Sequence, residues 1–117
     1  MRNPLKYLLL LATLATAPAV AHHGWAWATE DDYSVTGSIT EARLGNPHGE
    51  LTLDVDGTAW NVEVGQPWRN DRAGLTAELL SEGRTITVHG AAAPEDARIK
   101  AVRVVIDGED YVLYPGR

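Results

Sequence analysis

The 117-residue sequence contains no cysteine. No disulfide can staple the fold, and thiol chemistry and thiolate metal ligands are excluded. The single methionine is Met1. A soft sulfur site for Cu(I) is therefore not available beyond the start of the chain, and any metal must be held by imidazole, amine or oxygen. Basic residues are scarce, with ten Lys and Arg against sixteen Asp and Glu. Arg2 and Lys6 lie in the first 21 residues, which leaves eight bases facing all sixteen acids. That balance argues against a nucleic-acid partner, which needs a basic face. It is compatible with binding cations. The sequence also lacks a nucleophile motif, a phosphate loop, a dinucleotide fingerprint and an internal repeat. No pair of histidines has the spacing of a structural zinc site.

The first 21 residues have the layout of an export leader. Arg2 and Lys6 precede an apolar run centred on Leu8 to Leu11 and Leu14. Ala-x-Ala recognition sites follow at Ala17/Ala19 and Ala19/Ala21. The run is shorter than the roughly 20 residues that span a bilayer. Cleavage after Ala21 would make His22 the first residue of a periplasmic or secreted protein, with no membrane contact afterwards. Cleavage after Ala19 would place His22 third instead. The earlier cut is disfavoured because Pro18 would then fall inside the recognition triplet. Residues 22–32 show no period and are read as an extended arm; residues 33–117 are read as one domain.

From Tyr33 onward the apolar residues alternate. Tyr33, Val35 and Ile39 share one side of a first strand that ends near Leu44. Gly37 marks a bulge or tight coil in it. Gly45-Asn46-Pro47-His48-Gly49 is turn chemistry. Leu51, Leu53 and Val55 define a second strand, and Asp56-Gly57 a hairpin. Trp60, Val62 and Val64 face inward from a third, with Asn61 and Glu63 outward. Pro67 suits a helix start, and Trp68 to Ala73 forms a short helix. Thr76 caps a second short turn through Leu80. Ile86 and Val88 point inward from a fourth strand, a loop is expected over Gly90 to Asp96, and Ile99 to Ile106 forms a fifth. A short strand over Tyr111 to Tyr114 completes the series. The expected fold is mainly β: a small five- to six-stranded OB-like barrel with a short helical segment between strands three and four.

Several segments together carry a family resemblance. They are Ala21-His22-His23-Gly24, Gly37-Ser38-Ile39-Thr40-Glu41, Asn46-Pro47-His48, Trp60, Gly74-Leu75-Thr76 and the strand from Gly83 to Gly90. The chain resembles a family of small exported bacterial proteins of unknown function, with an Ala-His-His mature start and an Asn-Pro-His turn. The resemblance implies an exported single domain and carries no activity.

The chemistry rests on four histidines. At a processed terminus, the α-amino group and the imidazole of His22 chelate one ion, and a second imidazole from the barrel completes a three-nitrogen set. That set suits Cu(II), with zinc as the other candidate ion. His48, in a turn, is the leading partner, and Glu50 is expected to share its face. His23 and His89 are further candidates; His89 is read as pointing outward with Thr85 and Thr87. Asp54 and Asp56 flank a hairpin and read as solvated acids. Trp25 and Trp27 are expected to anchor the arm by burial, and Trp60 to lie in the core. The expectation is an exported metal-binding module for carriage, buffering or sensing, and not an enzyme. The other reading is a metal-free OB-like module that binds a small ligand, a glycan or an envelope protein.

Overall fold

The computed structural model describes residues 24–117. The expected leader, the expected cleavage site, His22 and His23 lie outside the described residues. Six strands and one α-helix follow in order. They are β1 (Glu30–Arg43), β2 (Glu50–Val55), β3 (Thr58–Glu63), α1 (Pro67–Ala73), β4 (Thr85–Ala93), β5 (Arg98–Ile106) and β6 (Glu109–Val112). The sheet runs β3-β2-β1-β4-β5-β6, and β3 also pairs with β5. That extra pairing is parallel and joins Asn61 to Arg98, Val62 to Ile99 and Glu63 to Lys100. It closes a ring of five strands, with β6 attached outside on β5. The architecture is the OB-like barrel expected from the alternating pattern.

The first strand holds the ring together because it pairs on both sides. Its early half pairs with β4 and its later half with β2, and Ser38 is the crossover, matched to both Asp54 and Thr85. Gly37 precedes that residue. A Cβ there would collide with the carbonyl of Asp54, so only glycine permits the coil. The register shift itself falls later, between Ile39 and Glu41.

The barrel is filled by Ile39, Leu51, Leu53, Val62, Ile86, Val88, Ile99 and Val104, all 1% exposed or less. Trp60 is buried with them and stacks on Tyr33 at 5.8 Å between ring centres. Leu75 and Leu80, which follow α1, are buried in the same core. Within α1 itself the buried residue is Asn70. Pro67 opens this helix and Gly74 ends it at φ 79°, as the sequence suggests. Thr76 also performs its capping role: its Oγ1 accepts from the N–H of Leu79 at 3.2 Å, over a turn that does not become a helix.

Three expectations change. The loop placed over Gly90 to Asp96 is mostly strand. Gly90, Ala91, Ala92 and Ala93 pair with Ala101, Lys100, Ile99 and Arg98. Their small size permits close packing, and a Cβ on Gly90 would collide with the carbonyl of Lys100. The connection is reduced to a 3-10 turn over Pro94–Asp96, capped by Ala97. The first strand begins at Glu30 rather than Tyr33, because Glu30 pairs with Ala92. The last strand is Glu109–Val112, ending before Leu113 and Tyr114. Among the described residues, no helix is long and apolar enough to cross a membrane.

Candidate functional site

The turn before β2 delivers His48 to the end of β3. Gly49 makes this possible. Its N–H donates to the carbonyl of Gly65, and its own carbonyl accepts from Val64, both at 2.9 Å. A Cβ on Gly49 would stand 2.7 Å from Val64, so the close approach requires glycine. The next pair in register is Glu50 with Glu63. His48 therefore sits beside Glu63, with Nε2 3.4 Å from Oε1. Its Nδ1 lies 3.3 Å from the Gly49 carbonyl. Glu50, expected to converge with His48, instead pairs with Arg43 at 3.1 Å.

Glu63 is the residue that sequence reasoning missed. Strand parity puts it outside the barrel, where an acid is normally solvated, yet it is only 5% exposed. Its surroundings come from the parallel seam. Lys100, its partner in register, brings Nζ to 2.9 Å from Oε2. Arg98 reaches to 3.8 Å from Oε1. A buried carboxylate needs such compensation, because desolvation of a lone charge is costly. No local signal in the sequence pairs residue 63 with residue 100.

The arm covers this cluster. Gly24 to Trp27 form a turn, closed by the Ala28 N–H on the Trp25 carbonyl at 3.0 Å, so the arm is not extended as expected. Trp25 lies over Lys100 Nζ at 4.5 Å and over the Arg117 guanidinium at 3.8 Å. It also meets Tyr114 edge-on, with ring centres 5.0 Å apart. Trp27 covers Arg98 at 3.8 Å. The anchoring role expected of the two tryptophans is met, but through cation–π stacking on β5 bases as well as burial. Lys100 ties the pieces together: besides Glu63 and Trp25, its Nζ donates to the Gly24 carbonyl at 3.4 Å. A Cβ on Gly24 would stand 2.9 Å from that nitrogen.

The structure brings His48 together with Glu63, Lys100 and the start of the arm. It places His89 elsewhere, on β4 opposite Ser34 and Arg103. There it lines a shallow cleft with Asp31, Asp32 and Arg117. His89 and His48 line different clefts. Among the described residues, no three His, Asp or Glu side chains are grouped to hold a metal. Asp54 caps its own hairpin, accepting from the Gly57 N–H at 2.9 Å.

These features define a small OB-like barrel whose amino-terminal arm is docked over an ion-paired, nearly buried carboxylate. The chain belongs to DUF6152, a family of unknown function whose profile matches residues 10–100. No curated protein matches the sequence. The fold is similar to part of the crystal structure of TiaS in complex with an isoleucine tRNA, AMPCPP and agmatine, at 17% identity and a TM-score of 0.51. That match covers 64% of this chain and 18% of the other. A second similar structure is the ZRD-deleted mutant of TiaS in complex with agmatine, with 19% identity, a TM-score of 0.49, and coverage of 74% and 22%. The chain spans about a fifth of the length of these proteins. The likeness is one of fold.

Proposed function

We propose that this chain is an exported metal-binding module. Cu(II) is its preferred ion, and its role is metal carriage, buffering or sensing. The amino group and imidazole of a processed His22 supply two donors, and His48 supplies a third. His23 is the reserve donor next to His22. One observation carries the reading. The Gly24 carbonyl is tied to Lys100, Lys100 to Glu63, and Glu63 lies against His48. The chain upstream of Gly24 therefore starts at the edge of the His48 cluster. Two residues span at most about 7 Å, so a chain that began at His22 would have its first residue within that distance of Gly24. Neutral imidazole and amine nitrogen favour Cu(II) over Mg(II) or Ca(II), with Zn(II) next.

The test uses the processed protein, its first residue fixed by intact mass. Cu(II) is titrated and the electron spin resonance spectrum recorded. We expect one tight ion per chain with a nitrogen-rich tetragonal signal. His22→Ala and His48→Ala should each weaken binding by at least about tenfold, as expected when a group that supports or supplies a ligand is lost. Weak binding that is indifferent to both changes would defeat the proposal. His89→Ala should leave the spectrum unaltered.

A second reading has an observation of its own. Trp68 is 52% exposed and Val112 40%, and both lie near a cleft lined by Arg69, Arg72 and Pro115. An exposed tryptophan beside two arginines suits a metal-free module that binds a glycan or an envelope protein. Trp68→Ala would abolish such binding and leave Cu(II) uptake intact.

A further inference from the structure

We infer that the cleft between α1 and the end of β6 binds a carboxylated saccharide of the uronic-acid type. Arg69 and Arg72 take the carboxylate, and Trp68 lies against the sugar. The inference narrows the second reading above to one ligand chemistry and rests on it; it needs no metal. Three observations carry it. The first is an imbalance of charge. After position 21, sixteen acids face eight Lys and Arg residues. Five of those bases are ion-paired: Arg43, Arg84, Arg98, Lys100 and Arg103. Among the described residues, Arg69 and Arg72 have no acidic partner, yet both line this one cleft. They stand three apart on α1, where like charges are neighbours and repel. Asp71 lies between them in sequence, but residues one or two apart on a helix do not face each other. An anion in the cleft relieves the repulsion.

The second is the way Arg69 is held. Its guanidinium lies 4.1 Å from the centre of the Tyr114 ring and 4.5 Å from that of Trp68. Its Nε donates to Gln66 Oε1 at 3.3 Å, and its Nη1 to the Leu113 carbonyl at 3.0 Å. Arginine has five N–H donors. Among the described residues, those left on Nη1 and Nη2 have no acceptor. A guanidinium fixed in this way loses little freedom when it binds. Its planar fork matches a carboxylate.

The third is shape. The cleft holds about 350 Å³, the lower end of small-ligand sites at about 300–1,000 Å³. A stable protein partner needs a surface of about 800 Å² on each side. Val112 and Pro115 give one wall an apolar, exposed lining. Trp68 is 52% exposed, and a ligand paired with Arg69 has its indole alongside. Such a surface takes the C–H face of a sugar and leaves the hydroxyls in water. Nucleic-acid phosphate is disfavoured by the excess of acids over bases.

The test titrates the nitrogen-15-labelled protein with tetragalacturonate, its methyl ester and inorganic sulfate. The Trp68 indole and Arg69 Nε resonances are followed. We expect the free acid to move both signals to saturation. The ester should bind at least about tenfold more weakly, and sulfate no better than the ester. Arg72 is exposed, so Arg72→Ala should leave the fold intact and weaken the acid by about tenfold without affecting the ester. Trp68→Ala should weaken both. Equal binding of acid and ester at Trp68 overturns the carboxylate and leaves the glycan reading standing. Sulfate that matches the acid overturns the saccharide. No movement of either signal with acid or ester overturns the inference and the glycan form of the second reading together.

Discussion

At the corner between β3 and α1, the side-chain amide of Asn70 takes both backbone groups of Gly65. Its Oδ1 accepts from the N–H and its Nδ2 donates to the carbonyl, each at 2.9 Å. Gly65 in turn accepts from Gly49, the neighbour of His48. One amide thereby supports the strand end that carries Glu63 and the turn that carries His48. Asn70→Ala would leave the buried N–H of Gly65 without a partner and take one of two donors from its carbonyl, and we expect it to cost about 1–3 kcal/mol. Urea unfolding monitored by tryptophan fluorescence would measure it. Asn70→Asp, which keeps the acceptor and loses the donor, should cost less than the alanine change. Asn70 does not stand out in the sequence, because an asparagine in the middle of a short helix looks like solvent-facing polarity. Burial of such a residue follows from a corner that only the folded barrel defines.

The arm and β5 are best considered together. Trp25 and Trp27 were legible as anchors, being two large rings two residues apart in an otherwise small-residue stretch. Their seat was not legible. Lys100 falls within the expected fifth strand and Arg98 just before it, and only the parallel seam with β3 turns the two into a charged floor. The misread at Gly90 to Ala93 has a related cause. Glycine followed by alanines has loop-like composition, but here it allows β4 to press against β5. The alternating strands themselves were readable because burial on one face forces a period of two. Trp25→Ala should release the arm and leave the barrel folded. A cation–π contact contributes about 0.5–2 kcal/mol, so two contacts and an edge-on ring are enough to hold a short turn in place. We expect faster proteolysis between Gly24 and Thr29, little change in the unfolding midpoint, and weaker Cu(II) binding.

For the molecule as a whole, closure is the step on which everything else depends. The ring forms only when β5 reaches both β4 and β3, and these contacts join distant parts of the sequence. Gly90→Ala puts a methyl group against the Lys100 carbonyl, on the strand that makes both contacts. Backbone cannot yield as a flexible side chain does. We expect a loss of about 1–3 kcal/mol or more, and hydrogen exchange should show lost protection in β3 and β5 together. The same substitution should scatter the candidate site, since Lys100 and Glu63 face each other across that seam. Of the eight Lys and Arg residues after position 21, Arg69, Arg98, Lys100 and Arg117 lie against aromatic rings.

The contact between Trp25 and Arg117 places the start of the described chain beside residue 117. A circular permutant could therefore join 117 to 24 through a short glycine linker and open in the Asp56-Gly57 hairpin, a tight exposed turn. Such a rearranged chain should fold to the same barrel with the same seam. It would have no free amine near His48. Comparing its copper affinity with that of the natural order would separate what the scaffold contributes from what a liberated terminus adds.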